Sequence, residues 1–434
     1  MKSIRAAGLK LHLRAEDGGQ AVLTVNANYL LYLDRVAAAF VRAYLAVARG
    51  RSGDDPAVEA AVTSRVRRRF RVKGDVALTD WRRVWSTITS VAGGGTCPFS
   101  DLGVSRVEPF SQTPRAPFRI DLALTYRCNN DCGHCYAGGS RKGEELTTNQ
   151  WRRIIDRAVA FDVPTLVFTG GESILRPDLP DLVAHAQARG AVTGLITNGR
   201  LMTPEAVTRL AGAGLDFVQI TLESVDPAVH AAMVGRDRAS WEQTVAGIRN
   251  SVARLYTTTN TTIMAANAGT ILDTIRFLKG LGVSRFGLNA IIRAGRGWDA
   301  AGVAPSDLNQ ILAQATALAH ELELDFIWYT PTCYHDVHPV DLGAGVKTCT
   351  AARTVLAIEP DGNVMPCQSY FQSLGNARRD SFAKMWRHPL AVSLRNRDHL
   401  PDRCRECDEV GLCGGGCPLE HAGRTEMSSR AASC

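Results

Sequence analysis

Between residues 118 and 325, short apolar runs alternate with longer stretches whose apolar residues recur every three to four positions. The runs 120–125, 166–169, 192–196, 217–220, 261–263 and 286–291 are rich in the branched and aromatic residues that suit strands. Helical patterns lie near 147–161, 178–189, 203–213, 240–254, 268–281 and 306–322. The first opens with Thr147 and carries Gln150 three residues on, the signature of a capping box. This alternation predicts six parallel βα units.

Residues 1–91 follow another rhythm. Leu9–Leu13, Ala21–Val25 and Tyr29–Tyr32 predict three short strands, and three helices follow. The first helix, near 34–48, gathers Val36, Phe40, Val41, Tyr44 and Leu45 on one face. The second opens at Asp55-Pro56, a cap followed by the proline favoured at the first helical position. The third, near 75–90, carries Trp81, Val84, Trp85 and Ile88, with the Trp pair read as core. Six basic residues fall between Arg65 and Lys73, a run read first as a solvated face. Residues 92–117, with Gly93-Gly94-Gly95 and Pro98, Pro109, Pro114 and Pro117, read as a linker.

Composition narrows the class. The 434 residues are 45% hydrophobic and 21% charged, an ordinary globular balance for two to four domains. No apolar run approaches the roughly 20 residues of a membrane span, and no apolar h-region follows the charged start. The expectation is a cytoplasmic protein without a membrane partner. Twelve cysteines in such a protein argue for metal or redox chemistry over disulfides. The net charge of +7 permits an anionic partner, but no base-stacking or groove motif supports nucleic acid.

The chemistry centres on Cys128, Cys132 and Cys135, in Cys-Asn-Asn-Asp-Cys-Gly-His-Cys after the first barrel strand. Three thiolates can hold three irons of a cubane cluster that normally takes four, leaving one iron open. A zinc site is the competing reading. The loop resembles that of the radical S-adenosylmethionine (SAM) enzymes. That resemblance implies SAM chelated at the open iron, its reductive cleavage to a 5′-deoxyadenosyl radical, and hydrogen abstraction. It also implies an α/β fold with a partial (β/α)6 barrel, its site at the strand ends. Gly170-Gly171-Glu172 resembles the family's SAM-amino motif, with Ser173 replacing the usual proline. Thr197-Asn198-Gly199 ends the third strand as is common in the family. Thr221 and Glu223 stand in the ribose-contacting sequence, and Gly295-Arg296 in the segment lining the adenine. Val234 replaces the arginine that meets the SAM carboxylate, and Arg236 and Arg238 are the available substitutes.

Seven further cysteines, Cys349, Cys367, Cys404, Cys407, Cys413, Cys417 and Cys434, resemble the SPASM extension, which carries two auxiliary clusters. By resemblance, Cys404, Cys407, Cys413 and Cys434 hold one. Cys349, Cys367 and Cys417 hold the other, where Gly343 replaces the fourth cysteine of fully ligated relatives and Cys333 is a conditional ligand. A pair of zinc knuckles is the alternative, and Cys97 reads as a small buried hydrophobe. The N-terminal strand–helix order resembles a winged-helix leader-peptide domain, in which an extended leader pairs with a strand edge.

Together these imply an enzyme that modifies a ribosomally made, leader-bearing precursor peptide by cross-linking, thioether formation or oxidative decarboxylation. A flavodoxin- or ferredoxin-type reductant is implied with it. Three [4Fe–4S] clusters and SAM are the expected cofactors. Maturation of a tetrapyrrole or another small molecule is a second reading. Sulfatase activation is disfavoured because Gln368 stands where those relatives place an aspartate base. A non-catalytic iron–sulfur carrier would leave the strand-end motifs unexplained. No motif singles out the hydrogen-accepting residue.

Overall fold

The computed structural model describes residues 2–26, 29–92, 114–138 and 144–421. Cys97, Cys434 and most of the 92–117 segment lie outside the described residues.

The N-terminal unit opens with a strand the apolar pattern does not show. β1 (Lys2–Ala6) pairs antiparallel with β2 (Leu9–Ala15). Ala7 and Gly8 turn the chain with φ of 51° and 76°, the positive values that a two-residue hairpin loop needs. An Ala-Gly turn beside a polar strand is a weak signal, so the sequence hid it. β3 (Ala21–Val25) and β4 (Tyr29–Leu33) complete a sheet of order β1-β2-β3-β4. Three helices follow: α1 (Arg35–Val47), α2 (Pro56–Phe70) and α3 (Gly74–Ala92). Asp55 accepts from Ala57 N at 2.9 Å and caps α2 as expected, and Asp34, which accepts from Ala37 N at 2.7 Å, caps α1. Trp81 is fully buried against Phe40, Tyr44 and Trp85, with ring centroids 6.1, 5.5 and 5.8 Å away. The Trp pair is core. Arg67, Arg68 and Arg69 are exposed in the last turn of α2, where cations suit the helix dipole.

Seven successive strands of the large sheet run parallel: β5 (Arg119–Thr125), β6 (Thr165–Gly170), β7 (Val192–Thr197), β8 (Phe217–Thr221), β9 (Tyr256–Ile263), β10 (Arg285–Ala290) and β11 (Asp325–Trp328). They adjoin in chain order, as successive βα units do. β11 is one strand more than the pattern predicts and crosses the expected boundary at residue 325. Among the helices, α4 (Thr148–Ala160) starts with the expected box: Gln150 N donates to Thr147 Oγ1, and Thr147 N to Gln150 Oε1. The rest are α5 (Leu179–Ala188), α6 (Pro204–Gly212), α7 (Pro227–Val234), α8 (Ala239–Val252), α9 (Ile271–Gly280) and α10 (Pro305–Glu321). The eight-residue α7 is the helix that the periodicity did not predict. On the far side of β5 the sheet continues with β12 (Val355–Ile358), parallel to β5, then antiparallel β13 (Asn363–Met365) and β14 (Gly375–Asn376). The sheet is therefore an open, partial barrel with a C-terminal cysteine-rich extension.

Two hydrophobic cores share no residue. One draws only on residues between Ala6 and Val91, the other on residues between Ile120 and Leu394. The units meet through polar side chains on β2 and through Tyr29 and Tyr32 of β4, which lie against Arg285 and Phe118. Lys10 Nζ reaches Asp216 at 2.5 Å and Gln187 at 2.7 Å, and the buried Arg14 donates from Nη1 to Ala116 O and Pro117 O at 3.0 Å. Arg14 also lies 4.0 Å from the centre of the Phe118 ring. All these barrel partners stand just before or beside strand starts, so the N-terminal unit covers the end of the barrel away from the strand C-termini.

A buried arginine fixed by charge-assisted hydrogen bonds is costly to lose. Arg14→Ala should lower unfolding stability by about 2–4 kcal/mol. Hydrogen exchange should quicken in β2 and at residues 116–119, with β8 unchanged. Wild-type exchange at both places would show that the clamp contributes nothing.

Candidate active site

The segment 126–138 leaves β5 without regular secondary structure, so its backbone groups need partners elsewhere. Neighbouring strand ends supply them. At the end of β6, Gly171 N donates to Thr125 O at 2.7 Å and Glu172 N to Arg127 O at 2.9 Å. After β7, Arg200 donates to Asn129 O at 2.6 Å and Asn130 Oδ1 at 2.8 Å, and Asn198 to Asn129 Oδ1 at 2.6 Å. From the loop after β8, α7 offers Val234 O to Asp131 N at 2.9 Å and Met233 O to Gly133 N at 3.2 Å. Arg236 then donates to Asn129 O at 2.7 Å. After β10, Arg296 N donates to Cys135 O at 3.0 Å, and its guanidinium pairs with Asp131.

Glycine is required where these backbones touch. A Cβ on Gly171 would lie 2.3 Å from Arg127 O, one on Gly170 2.2 Å from Thr125 O, and one on Gly295 2.2 Å from Tyr136 O. Gly170 and Gly295 also take positive φ, 129° and 54°. At the Gly-Gly pair the close neighbours are Thr125 O at the end of β5 and Arg127 O in the cysteine loop.

Glu172 is fully buried, and its carboxylate accepts from Ile174 N, Thr197 Oγ1 and Asn198 N at 3.2, 2.9 and 2.8 Å. Burial raises its pKa and these three bonds oppose the rise. A carboxylate has about four lone-pair sites, so one stays available. Glu223 is buried too. One oxygen lies 3.0 Å from His134 Nε2, within the cysteine loop, and the other accepts from Thr262 N at 2.8 Å. Its own N–H donates to His230 Nδ1, and burial first of all lowers the pKa of His230 to about 4, keeping that ring neutral. Thr221 closes β8 beside these groups. Arg238 pairs with exposed Glu242 and makes no contact with the loop among the bonds described, whereas Arg236 does. Burial raises the thiol pKa of Cys128, and that of Cys132 further. Four buried polar atoms, His134 Nδ1, His230 Nε2, Asn260 Oδ1 and Arg296 Nε, have no hydrogen-bond partner among the described residues. Such orphans are rare in native interiors and suit a polar ligand. Asn198, Arg200 and the His134–Glu223 pair escaped sequence reasoning; only Thr197-Asn198-Gly199 hinted at the first.

The C-terminal cysteines form two groups. The β12–β13 hairpin brings its flanks together, with Ala352 N donating to Pro366 O at 2.9 Å, so Cys349 and Cys367 are neighbours. Burial pushes the Cys367 thiol to about 12 and Cys417 well above the ordinary thiol range, and each is raised further by Cys349. A second group, Cys404, Cys407 and Cys413, lines a cavity of about 230 Å³ with Cys333 and His335. The structure thus places Cys333 with this group. Tyr136 donates to Gln368, which joins the residue after Cys135 to the residue after Cys367. Among the described residues, no three His, Cys, Asp or Glu side chains converge on a single-ion position. Tetrahedral zinc requires such convergence at about 2.3 Å from each sulfur. A cubane spreads its thiolates over separate irons, and all-thiolate donor groups of this kind suit such a cluster.

Comparison with known proteins agrees with this geometry. Residues 122–289 match the radical SAM superfamily, and residues 349–408 the SPASM iron–sulfur cluster-binding domain. The PqqA peptide cyclase of Ruegeria pomeroyi is 31% identical over 325 residues, covering 70% of this chain and 83% of that one. The AdoMet-dependent heme synthase of Methanosarcina barkeri is 27% identical, covering 69% and 91%. The crystal structure of Streptococcus suis SuiB bound to precursor peptide SuiA superimposes with a TM-score of 0.68 at 17% identity, covering 94% of both chains. The chain belongs to the radical SAM superfamily and carries a SPASM domain, and its cofactors are SAM and [4Fe–4S] clusters.

Proposed function

We propose that this enzyme modifies a ribosomally made precursor peptide, recruiting it through residues 1–91 and acting on it at the strand ends of the 118–325 barrel. The observation that carries the peptide reading is the N-terminal unit. It has its own core, and its edge strand β4 has no strand partner on its outer side among the described residues. Leu30 and Tyr32 on that strand are 43% and 61% exposed. An unpaired edge flanked by apolar side chains suits an extended peptide. The likeness to a PqqA peptide cyclase and to the SuiB fold supports the same reading. The likeness to a heme synthase favours a small-molecule substrate instead, at a lower identity, 27% against 31%.

Cys128, Cys132 and Cys135 would hold the cluster that binds SAM. Cys349, Cys367 and Cys417 would hold one auxiliary cluster, and Cys404, Cys407 and Cys413 three corners of another. Cys434, the fourth ligand that the family resemblance implies there, lies outside the described residues. With its cofactors bound, the site would supply one electron to cleave SAM and a carbon radical to take hydrogen from the peptide. Glu172 would accept from the SAM ammonium with its remaining lone pair while its other bonds fix the β6 and β7 ends. Arg236 is the better placed substitute for the missing carboxylate-binding arginine. Thr221, Glu223 and Gly295 would border the nucleoside. Arg200, Arg236 and Arg296 place positive charge around the anionic cluster. A flavodoxin- or ferredoxin-type donor in the cytoplasm would supply the electron; among the described residues no helix is long and apolar enough to cross a membrane.

Changing Cys128, Cys132 and Cys135 together to Ala should remove about a third of the iron, if three four-iron clusters are present. All SAM cleavage should go with it. Full iron content in that variant would displace the loop from the role. In the same background, iron uptake should strengthen as pH rises. Raised thiol pKa values mean that Cys349, Cys367 and Cys417 are protonated when metal-free, so each must release a proton on binding. The gain should continue past the ordinary thiol pKa of about 8.5; chelator competition across pH reads it. Removing residues 1–91 should leave SAM cleavage intact but cut turnover of a leader-bearing peptide at least tenfold. Unchanged turnover would end the recruiting role.

A further inference from the structure

We infer that Cys333 is the fourth thiolate of the auxiliary cluster held by Cys404, Cys407 and Cys413. This deepens the cluster reading above and rests on it. The segment Thr332-Cys333-Tyr334-His335 follows β11 and lies across the cavity that the three cysteines line. Several contacts hold it there. Cys413 Sγ donates to Thr332 O at 3.3 Å, and His335 Nε2 lies 3.3 Å from Cys407 Sγ. Tyr334 is buried and its hydroxyl accepts from Lys347 N at 2.9 Å, which fixes the backbone on either side of it. Opposite, Gly416 takes φ of 78°, and a Cβ there would stand 3.0 Å from Cys333 N. The two strands of the cavity wall therefore touch at Cys333.

Size and donor chemistry agree. The cavity of about 230 Å³ is far larger than the roughly 10–15 Å³ that one water occupies on the same measure. Four thiols border it, and a cubane ordinarily takes four. Cys349, Cys367 and Cys417 do not line this cavity. Two consequences follow. The second auxiliary cluster is closed without the C-terminal residue, and the first keeps three protein thiolates and an open iron.

Thiol footprinting of the full-length chain tests this. The protein is reconstituted anaerobically with iron and sulfide, alkylated with iodoacetamide, and read by peptide mass spectrometry against the metal-free chain. Cys333 should become at least tenfold less reactive on reconstitution, together with Cys404, Cys407 and Cys413, while Cys434 reacts equally in both states. Protection of Cys434 with no change at Cys333 would overturn the assignment. If Cys404, Cys407 and Cys413 also stay reactive, the cluster reading itself falls, and the assignment with it. A pair of variants separates the two auxiliary groups. Cys404→Ala/Cys407→Ala should abolish the protection of Cys333, and Cys349→Ala/Cys367→Ala should preserve it. The reverse pattern would move Cys333 to the first cluster and defeat the inference.

Discussion

A loop of thirteen residues without helix or strand can stay ordered only if something else satisfies its backbone. That requirement organises the catalytic end of this protein. The ends of β6 and β10 and the loops after β7 and β8 each hydrogen-bond the 126–138 segment, either by main chain or through Asn198, Arg200 and Arg236. The cysteines are therefore positioned chiefly by the strand ends gathered around their loop, with Cys135 N also donating to Cys132 O at 3.3 Å. The motif glycines belong to the same constraint. Gly170, Gly171 and Gly295 lack side chains because carbonyls at the end of β5 and in the loop occupy the space.

This view changes what the acidic groups do. Glu172 and Glu223 are both buried, and each is largely consumed by bonds that tie neighbouring segments together. Glu223 reaches His134 between Cys132 and Cys135, so a change at the fourth strand end is felt directly in the cysteine loop. A charged group buried this far must be paired or pay heavily in desolvation, which binds its positioning role to its bonding role. Replacing either carboxylate disturbs loop geometry together with any ligand contact.

Much of this was legible in the sequence because it obeys local rules. Asp55 and the Thr147–Gln150 box each cap the expected helix, and period-two and period-3.6 patterns mark most elements of the barrel. What stayed hidden depends on contacts far apart in sequence. β1 is too polar to declare itself before it pairs with β2, and β11 is a four-residue edge strand. Arg200 looks like any surface cation until the fold places it 2.6 Å from Asn129 O, 71 positions away. Gln368 reads only as a missing base, yet it accepts from Tyr136 across 232 positions and couples the loops of two cysteine groups. Cys333 has no fixed spacing to its neighbours, so only three dimensions reveal its company.

The barrel's two ends also impose a length rule on the proposed substrate. Lys10, Arg14 and Tyr29 meet residues at or before the starts of β5, β7, β8 and β10, whereas the cysteine loop caps the opposite ends of those strands. A parallel strand of about six residues spans roughly 20 Å. A leader seated on β4 must therefore run at least that distance before its core reaches the site. An extended chain covers about 3.3–3.6 Å per residue, so six residues is the shortest direct spacer, and a path around the barrel wall needs more. Under the proposed function recognition and chemistry are separated by the length of the barrel strands. The N-terminal unit would fix which peptide is bound, while the strand-end loops would decide which of its residues meets the radical.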